Sequence, residues 1–178
     1  MGELDLLEWL KKKHGEEVTS EKHTILFGSE TGNAQGAAEM LEYELRRRGL
    51  RTQLVAMDDY DFDDLANESM VYAVVSTCGQ GEYPGNCQQF MHELTTRDDL
   101  DLNGVKFAVF GLGDTSYVHF NKAAKDVQEH LHRLGAEELH NIGLGDDKDE
   151  DRWETEFNTW APEVFTEEIG RASCRERV

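Results

Sequence analysis

Residues 23–38 read His-Thr-Ile-Leu-Phe-Gly-Ser-Glu-Thr-Gly-Asn-Ala-Gln-Gly-Ala-Ala and combine three sequence patterns in one short segment. Thr24–Phe27 is a compact apolar run bounded by glycine, which is typical of an interior strand. The loop Gly28–Asn33 is rich in small and hydroxyl residues. Ala34–Arg48 contains strong helix formers, with apolar residues at helical spacing. The segment therefore predicts a buried strand, a polar loop and a helix, in that order.

A polar loop at the start of a helix favours anion binding. The first backbone N–H groups of the helix have no partner within it, and the helix dipole adds positive character there. Ser29, Thr31 and Asn33 can add side-chain donors. The loop has no lysine, so it is not the Walker A loop of nucleoside triphosphate-binding proteins. From these residues alone, the loop is either a site for a phosphate monoester or an ordinary strand–helix turn capped by Ser and Thr.

The composition of the 178-residue chain fits one domain with a sizeable core. The chain is acidic, with 37 Asp and Glu against 18 Lys and Arg and a formal net charge of −19. This charge argues against binding to nucleic acid or to an anionic membrane surface, since both attract positive charge. It favours a basic protein partner that is steered electrostatically, although a negative surface also simply keeps a domain in solution.

The cysteine content and the hydropathy of the chain indicate the cellular compartment in which we expect it. The three cysteines give no disulfide framework and suit a reducing compartment. Neither the cysteines nor the histidines have metal-site spacing, so we expect no metal. No apolar run is long enough to span a bilayer, and the first residues do not resemble a signal peptide. We therefore expect a cytoplasmic location, or the cytosolic face of a membrane if a longer parent protein carries an anchor.

The remaining elements alternate between strand and helix. Residues 1–21 predict an amphipathic helix or linker, residues 22–170 a single domain, and residues 171–178 an unstructured tail. The further predicted strands are Arg51–Ala56, Met70–Ser76, Val105–Phe110 and Glu137–Ile142, and the further predicted helices are Cys87–Thr95, Lys122–Leu134 and Glu150–Ile169. This alternation predicts an α/β fold, with a five-stranded parallel sheet covered by helices on both faces.

The unusual loops all follow the carboxyl ends of predicted strands, where open parallel sheets bind ligands. The loop after the third strand contains glycines whose peptides can present either N–H or C=O. The loop after the fourth strand supplies Tyr117, with His119 and Asn121 close by. A planar heterocycle with a phosphate tail would use all three loops. Because the sequence shows no nucleophile paired with a base, we expect the chemistry to belong to a bound cofactor.

Three segments resemble the FMN-binding segments of the flavodoxin-like domain in diflavin reductases, a family that includes NADPH–cytochrome P-450 reductase and the sulfite reductase flavoprotein. They are Gly28-Ser-Glu-Thr-Gly-Asn-Ala, Ser76-Thr-Cys-Gly-Gln-Gly-Glu-Tyr-Pro-Gly-Asn and Gly111-Leu-Gly-Asp-Thr-Ser-Tyr-Val-His-Phe-Asn, with Leu144-Gly-Asp-Asp as a fourth match. The resemblance covers about residues 23–169. It implies a flavodoxin-like three-layer α/β/α sandwich with strand order 2-1-3-4-5, and FMN as the cofactor.

The resemblance also implies a role for each segment. The first loop wraps the FMN phosphate, and the second lines the isoalloxazine ring, with the Gly79 peptide available to the N5 edge as the ring is reduced. The third covers the other side, with Tyr117 stacked on the ring, and Asp147, rather than Asp146, closes the site. The implied cofactor-binding residues are Ser29, Glu30, Thr31, Gly32, Asn33, Ala34, Ser76, Thr77, Cys78, Gly79, Leu112, Gly113, Asp114, Thr115, Ser116, Tyr117, Val118, His119, Phe120, Asn121 and Asp147.

Cys78 departs from the family pattern. Many cytochrome P-450 reductases carry a tyrosine at this position, so one face of the ring has less aromatic cover here, and assignment to that branch is weakened. Tyr83 is a candidate for partial replacement. Taken alone, Cys78 is better interpreted as a small buried apolar residue without a redox role.

The resemblance implies a function in electron transfer. The chain would be the FMN domain of an NADPH-dependent diflavin reductase, passing electrons singly from an FAD/NADPH domain to a basic haem or iron–sulfur acceptor. FAD and NADPH would bind outside this chain. The alternatives are a free-standing flavodoxin, an FMN domain fused to a different catalytic unit, and an acidic interaction module of the same fold without cofactor.

Overall fold

The computed structural model describes the backbone of residues 21–175 and the side chains of residues 21–170. The predicted helix or linker over residues 1–21 falls almost wholly outside this range. The strands are β1 (Lys22–Gly28), β2 (Arg51–Ala56), β3 (Met70–Ser76), β4 (Lys106–Gly113), β5 (Glu137–Glu138) and β6 (Gly143–Asp146). The α-helices are α1 (Asn33–Arg47), α2 (Gln88–Thr96), α3 (Lys122–Arg133) and α4 (Trp153–Arg175), and short 3₁₀ helices cover Met57–Asp59, Phe62–Asn67 and Gly85–Cys87.

The sheet is parallel throughout, with the order β2-β1-β3-β4-β5 and with β6 also paired to β4. This confirms the expected order 2-1-3-4-5. The central strand β3 is buried along almost its whole length, as its apolar sequence predicts. The edge strand β2 alternates exposed and half-buried residues in its first half, in agreement with its mixed sequence.

The last strand differs from its prediction. We expected one strand over Glu137–Ile142, but the chain forms β5, leaves the sheet, and returns as β6 where we expected a loop. The indole N–H of Trp160 donates to the Asn141 carbonyl at 3.0 Å, which fixes the intervening segment. A Cβ added to Gly143 would lie 2.5 Å from Phe110 and 2.8 Å from Trp160. The strand therefore passes beneath two rings at a glycine, which a hydropathy pattern does not reveal.

Two hydrophobic cores occupy the two faces of the sheet. Along β4, Phe107 and Val109 belong to the core with α2 and α3, whereas Ala108 and Phe110 belong to the core with α1 and α4. This alternation is the reason that the strand sequence is apolar at every position. The result is the predicted three-layer arrangement, with all strands ending at the same rim.

Helix α4 extends further than predicted. It ends at Arg175 rather than near Ile169, so it continues into the region for which we expected an unstructured tail. Residues 176–178 lie outside the described range. Within the described residues, the structure contains no helix that is both long and apolar enough to cross a bilayer.

Candidate cofactor site

A cavity of about 320 Å³ lies at the rim where β1, β3, β4 and β6 end. Its size falls in the lower range of small-molecule sites. It is lined by Glu30, Thr31, Asn33, Ser76, Thr77, Cys78, Gly79, Leu112, Gly113, Asp114, Tyr117, His119, Phe120, Asn121, Asp147 and Trp153. All of these except Trp153 belong to the set that the sequence predicted. The cavity thus brings together the three loops and the segment after β6.

The remaining six predicted residues do not line the cavity but lie in the loops around it. Ser29 accepts from the Gly32 N–H at 3.0 Å and donates its own N–H to Asn86 at 2.8 Å. Thr115 donates its hydroxyl to Asp146 at 2.6 Å. The other four are the helix-start glycine Gly32, the buried Ala34, the turn residue Ser116, and Val118, which is 90% exposed. Their direct contact with a cofactor stays a prediction.

The first loop leaves the start of α1 open. Gly32 precedes the helix with φ +94°, and no side chain of the described residues caps the first turn. The Gly36 N–H bonds to the Gly32 carbonyl at 2.9 Å, so the N–H groups before it have no helical partner. Thr31 and Asn33 line the cavity beside them. This end of the cavity therefore offers backbone and side-chain donors to an anion.

The charges of the lining residues indicate that an anion bound here would be held by uncharged donors. Among the described residues that line the cavity, the carboxylates are Glu30, Asp114 and Asp147, and none is Lys or Arg. Glu30 accepts from the Gly85 N–H at 2.9 Å and so ties the first loop to the second. A phosphate held here would depend on neutral donors, as the absence of lysine from the loop predicted.

The second loop is a tight turn that needs its glycines. Cys78 and Glu82 exchange two backbone hydrogen bonds of 2.9 Å, and Gly79 and Gly81 have φ values of +43° and +105°. A Cβ on Gly81 would lie 3.0 Å from the Cβ of His119. The turn thus packs closely against the third loop and places the Gly79 backbone on the cavity wall.

Cys78 lies on the cavity wall as a neutral thiol. Burial raises its pKa, and the nearby carboxylates of Glu30 and Glu82 raise it further. A thiol with a raised pKa is a weak nucleophile. Tyr83 does not replace the missing aromatic residue, because its hydroxyl donates to Asp126 on α3 at 2.6 Å and it is not among the described lining residues. One side of the cavity therefore has less aromatic cover than the other.

The third loop supplies a ring and an unpaired acceptor. Tyr117 is 51% exposed and lies on the outer wall. Asn121 is fully buried in the left-handed region (φ +53°), which asparagine tolerates better than most residues. Its Nδ2 donates to the Gly145 carbonyl at 3.1 Å, whereas its Oδ1 has no partner. A Cβ on Gly111 or Gly113 would lie 2.6 Å or 2.9 Å from Oδ1, so this oxygen packs against the glycines at the end of β4 and not into the open cavity.

The segment after β6 closes the site. Asp146 points away, because its carboxylate accepts from Thr115 and from the Lys148 N–H at 3.0 Å. Asp147 lines the cavity and donates its N–H to the Gly113 carbonyl at 2.8 Å. The structure therefore places Asp147, and not Asp146, at the cavity, as the sequence interpretation preferred.

Trp153 is the lining residue that sequence reasoning missed. We interpreted it as a core anchor of the last helix, and it does pack edge-to-face on Phe157 with ring centroids 5.7 Å apart. It is also the first residue of α4 and lies at the same rim as the loops. Its position shortly after Asp147, at a predicted helix start, is the signal that could have identified it.

Comparison with known proteins agrees with this geometry. The flavodoxin family profile matches residues 25–160. The chain is 46% identical over 146 residues to the mitochondrial NADP(+)-dependent pyruvate dehydrogenase of Euglena gracilis, which covers 81% of this chain and 8% of that protein. It is 40% identical over 149 residues to sulfite reductase (NADPH) subunit beta of Schizosaccharomyces pombe, covering 80% of this chain and 10% of that one.

A further relative is the NADPH–cytochrome P450 reductase of Rattus norvegicus, which is 37% identical over 146 residues and covers 79% of this chain and 21% of its own length. The chain thus spans between 8% and 21% of the length of these relatives. Among solved structures, the flavodoxin of Streptococcus pneumonia TIGR4 superimposes with a TM-score of 0.69 at 29% identity, over 82% of this chain and 98% of that one. The chain therefore belongs to the flavodoxin family, and the similarity to diflavin reductases that its loop segments predicted is confirmed.

Proposed function

We propose that this chain is the FMN-binding electron-transfer domain of an NADPH-dependent diflavin reductase. The observation that carries the proposal is the cavity itself, which is lined by residues at the open helix start, by Gly79 and by Tyr117. FMN has a phosphate that suits the helix start and a planar ring that suits Gly79 and Tyr117. FMN is the cofactor of flavodoxin domains, and when bound it supplies the capacity to take up electrons in pairs and release them singly.

Different lining residues bind different parts of FMN. The donors at Thr31, Asn33 and the start of α1 hold the phosphate. Asn121 lines the cavity on the side of the ribityl chain. Tyr117 stacks on the ring, and the Gly79 backbone contacts its edge.

The electron donor and acceptor lie in other parts of the assembly. An FAD/NADPH domain supplies the electrons, in keeping with relatives that are much longer than this chain. Carboxylates surround the ring end of the cavity, from Asp114 to the cluster Asp146–Asp151. Such a surface favours a basic haem or iron–sulfur protein as acceptor. We further propose that the domain works in the cytoplasm or at the cytosolic face of a membrane.

One relative favours a second direction of electron flow. The pyruvate dehydrogenase of Euglena gracilis, at 46% identity, is named for NADP(+) rather than NADPH. A domain from such a protein would carry electrons toward the nicotinamide. The binding site would be the same, and only the order of the partners would change.

The function is tested by following electrons through the isolated domain. The FMN-loaded chain is reduced by light with EDTA as the sacrificial electron donor, and it is then mixed with cytochrome c, a basic haem protein, while the haem absorbance is recorded. We expect rapid haem reduction that slows steeply with added salt, and no reduction of the domain by NADPH alone. A loaded domain that is reduced but does not pass electrons to any haem or iron–sulfur acceptor would refute the proposed function.

A further inference from the structure

Two hydrogen bonds tie the first loop to the segment that follows the turn after β3. The Ser29 N–H donates to the side-chain oxygen of Asn86 at 2.8 Å. In the opposite direction, the Gly85 N–H donates to the Glu30 carboxylate at 2.9 Å. Each segment thus offers one backbone N–H to a side chain of the other, so residues 29–30 are held against residues 85–86.

The bond to Asn86 fixes the residue on which the rest of the first loop depends. The Ser29 hydroxyl accepts from the Gly32 N–H at 3.0 Å, which closes the loop just before α1 begins. Residues 30–33 are exposed, so little packing holds them in place. Thr31, which lines the cavity, lies within this closed loop. The position of Ser29 therefore determines where the donors before α1 lie.

The segment that contains Asn86 is anchored in the hydrophobic core. The next residue, Cys87, is fully buried, and its thiol donates to the Pro84 carbonyl at 3.3 Å. A Cβ added to Gly28 would lie only 2.9 Å from the Cys87 sulfur, so the end of β1 packs closely against this residue. Asn86 is thus held in a fixed position, whereas the loop that it contacts is exposed.

We propose that Asn86 is a positioning residue that raises the affinity of the site for the phosphate of FMN by fixing the Ser29 backbone. The proposal rests on the proposed function. Asn86 is not among the described residues that line the cavity, so its effect passes through the first loop. Donors that are held in place before the ligand arrives lose less conformational freedom on binding, and the phosphate is therefore bound more tightly.

A general supporting role for Asn86 predicts a different result. Asn86 belongs to the segment that the family resemblance assigns to the ring, and a loss of support there would weaken the binding of every flavin equally. Riboflavin has the ring and the ribityl chain of FMN but no phosphate. The positioning role predicts that loss of the Asn86 side chain weakens FMN binding and leaves riboflavin binding unchanged. The two roles therefore differ in the ratio of the two Kd values.

Asn86→Ala removes the acceptor of the Ser29 N–H and is the main test. Asn67→Ala is the matched control, because Asn67 is an exposed asparagine in another 3₁₀ helix and is not among the described lining residues. Two quantities are measured for both variants: the hydrogen-exchange rate of the Ser29 amide in flavin-free protein, and the Kd for each flavin. Asn86→Asp keeps an acceptor oxygen and is used for the exchange measurement alone, since its charge would itself weaken phosphate binding.

We expect Asn86→Ala to accelerate Ser29 exchange about fivefold, the order of effect for one lost neutral hydrogen bond. The Kd for FMN should rise by a similar factor, whereas the Kd for riboflavin should stay at the parent value. Asn86→Asp should retain slow Ser29 exchange, and Asn67→Ala should match the parent chain in every measurement.

Unchanged Ser29 exchange in Asn86→Ala would overturn the proposal, as would fast exchange in Asn86→Asp. Equal losses for FMN and riboflavin would also overturn it, because they indicate general support of the segment. An unchanged Kd for FMN in Asn86→Ala would overturn it too and would leave the proposed function intact. A parent chain that takes up no FMN refutes the proposed function first and the inference with it. The two failures are therefore distinguishable.

Discussion

Replacement of Thr31 by valine tests the phosphate end of the cavity. Thr31 lines the cavity beside the open start of α1, and valine has nearly the same shape without the hydroxyl. If the hydroxyl donates to the phosphate, the variant loses one hydrogen bond to a charged group. Such a bond contributes roughly 1.5–3 kcal/mol, so the Kd for FMN should rise about 10- to 150-fold.

Riboflavin provides the internal comparison because it has the same ring and ribityl chain but no phosphate. Both ligands are titrated into flavin-free protein while flavin fluorescence is recorded. Thr31→Val should leave the Kd for riboflavin almost unchanged. Thr95→Val is the matched control, since Thr95 bonds only to carbonyls of its own helix and lies away from the cavity. Equal losses for FMN and riboflavin would refute the assignment of this loop to the phosphate.

The further predictions concern stability, pH and salt. Gly32→Ala should lower the free energy of unfolding by about 1–2 kcal/mol, because the φ of +94° at this position is strained for alanine even though the space is open. Gly36→Ala, inside α1, should instead raise the free energy of unfolding by about 0.5–1 kcal/mol. Urea unfolding measures both changes, and changes of the same sign would contradict the backbone explanation. Burial lowers the pKa of His23, and Glu168 only partly opposes this, so the unfolded state binds more protons than the folded state just below its ordinary pKa near 6.5. Stability should therefore fall as the pH drops through that range, and His23→Gln should flatten the dependence in urea unfolding at pH 7.5 and 5.5; an unchanged slope would remove His23 from the explanation. Electron transfer to cytochrome c should slow as ionic strength rises in stopped-flow measurements, and a rate independent of salt would leave the carboxylates without a docking role.

The hydrophobic pattern predicted the strands of the sheet because a buried strand consists mostly of apolar residues. Met70–Ser76 is apolar throughout, and the structure gives the same bounds for β3 and buries all but its last residue. The resemblance of three loop segments then indicated which loops meet and in what order the strands lie. These features depend on local composition and on rules that hold for all parallel sheets.

The features that the sequence did not predict have a common physical cause. The break between β5 and β6 is set by the rings of Phe110 and Trp160, which meet Gly143 from distant parts of the chain. The bond from the Ser29 N–H to Asn86 and the pairing of Thr115 with Asp146 are likewise tertiary contacts. A sequence pattern shows which residue types are present, but not which of them point into a cavity and which support it.

The orientation of Tyr83 makes the same point for an aromatic residue. Its closeness to Cys78 in sequence favoured a role as second ring cover. In the structure, Asp126 and Lys122 on α3 hold it away from the cavity, with the Lys122 ammonium 5.2 Å from the ring centroid. The weaker cover beside Cys78 is thus a property of this chain.

The absorption spectrum of the purified chain tests the central claim most directly, with the released cofactor identified by chromatography. We predict a flavin spectrum, and FMN at about one molecule per chain after reconstitution. A colourless protein that takes up no added FMN would contradict the cofactor assignment and would leave the fold as an acidic interaction module.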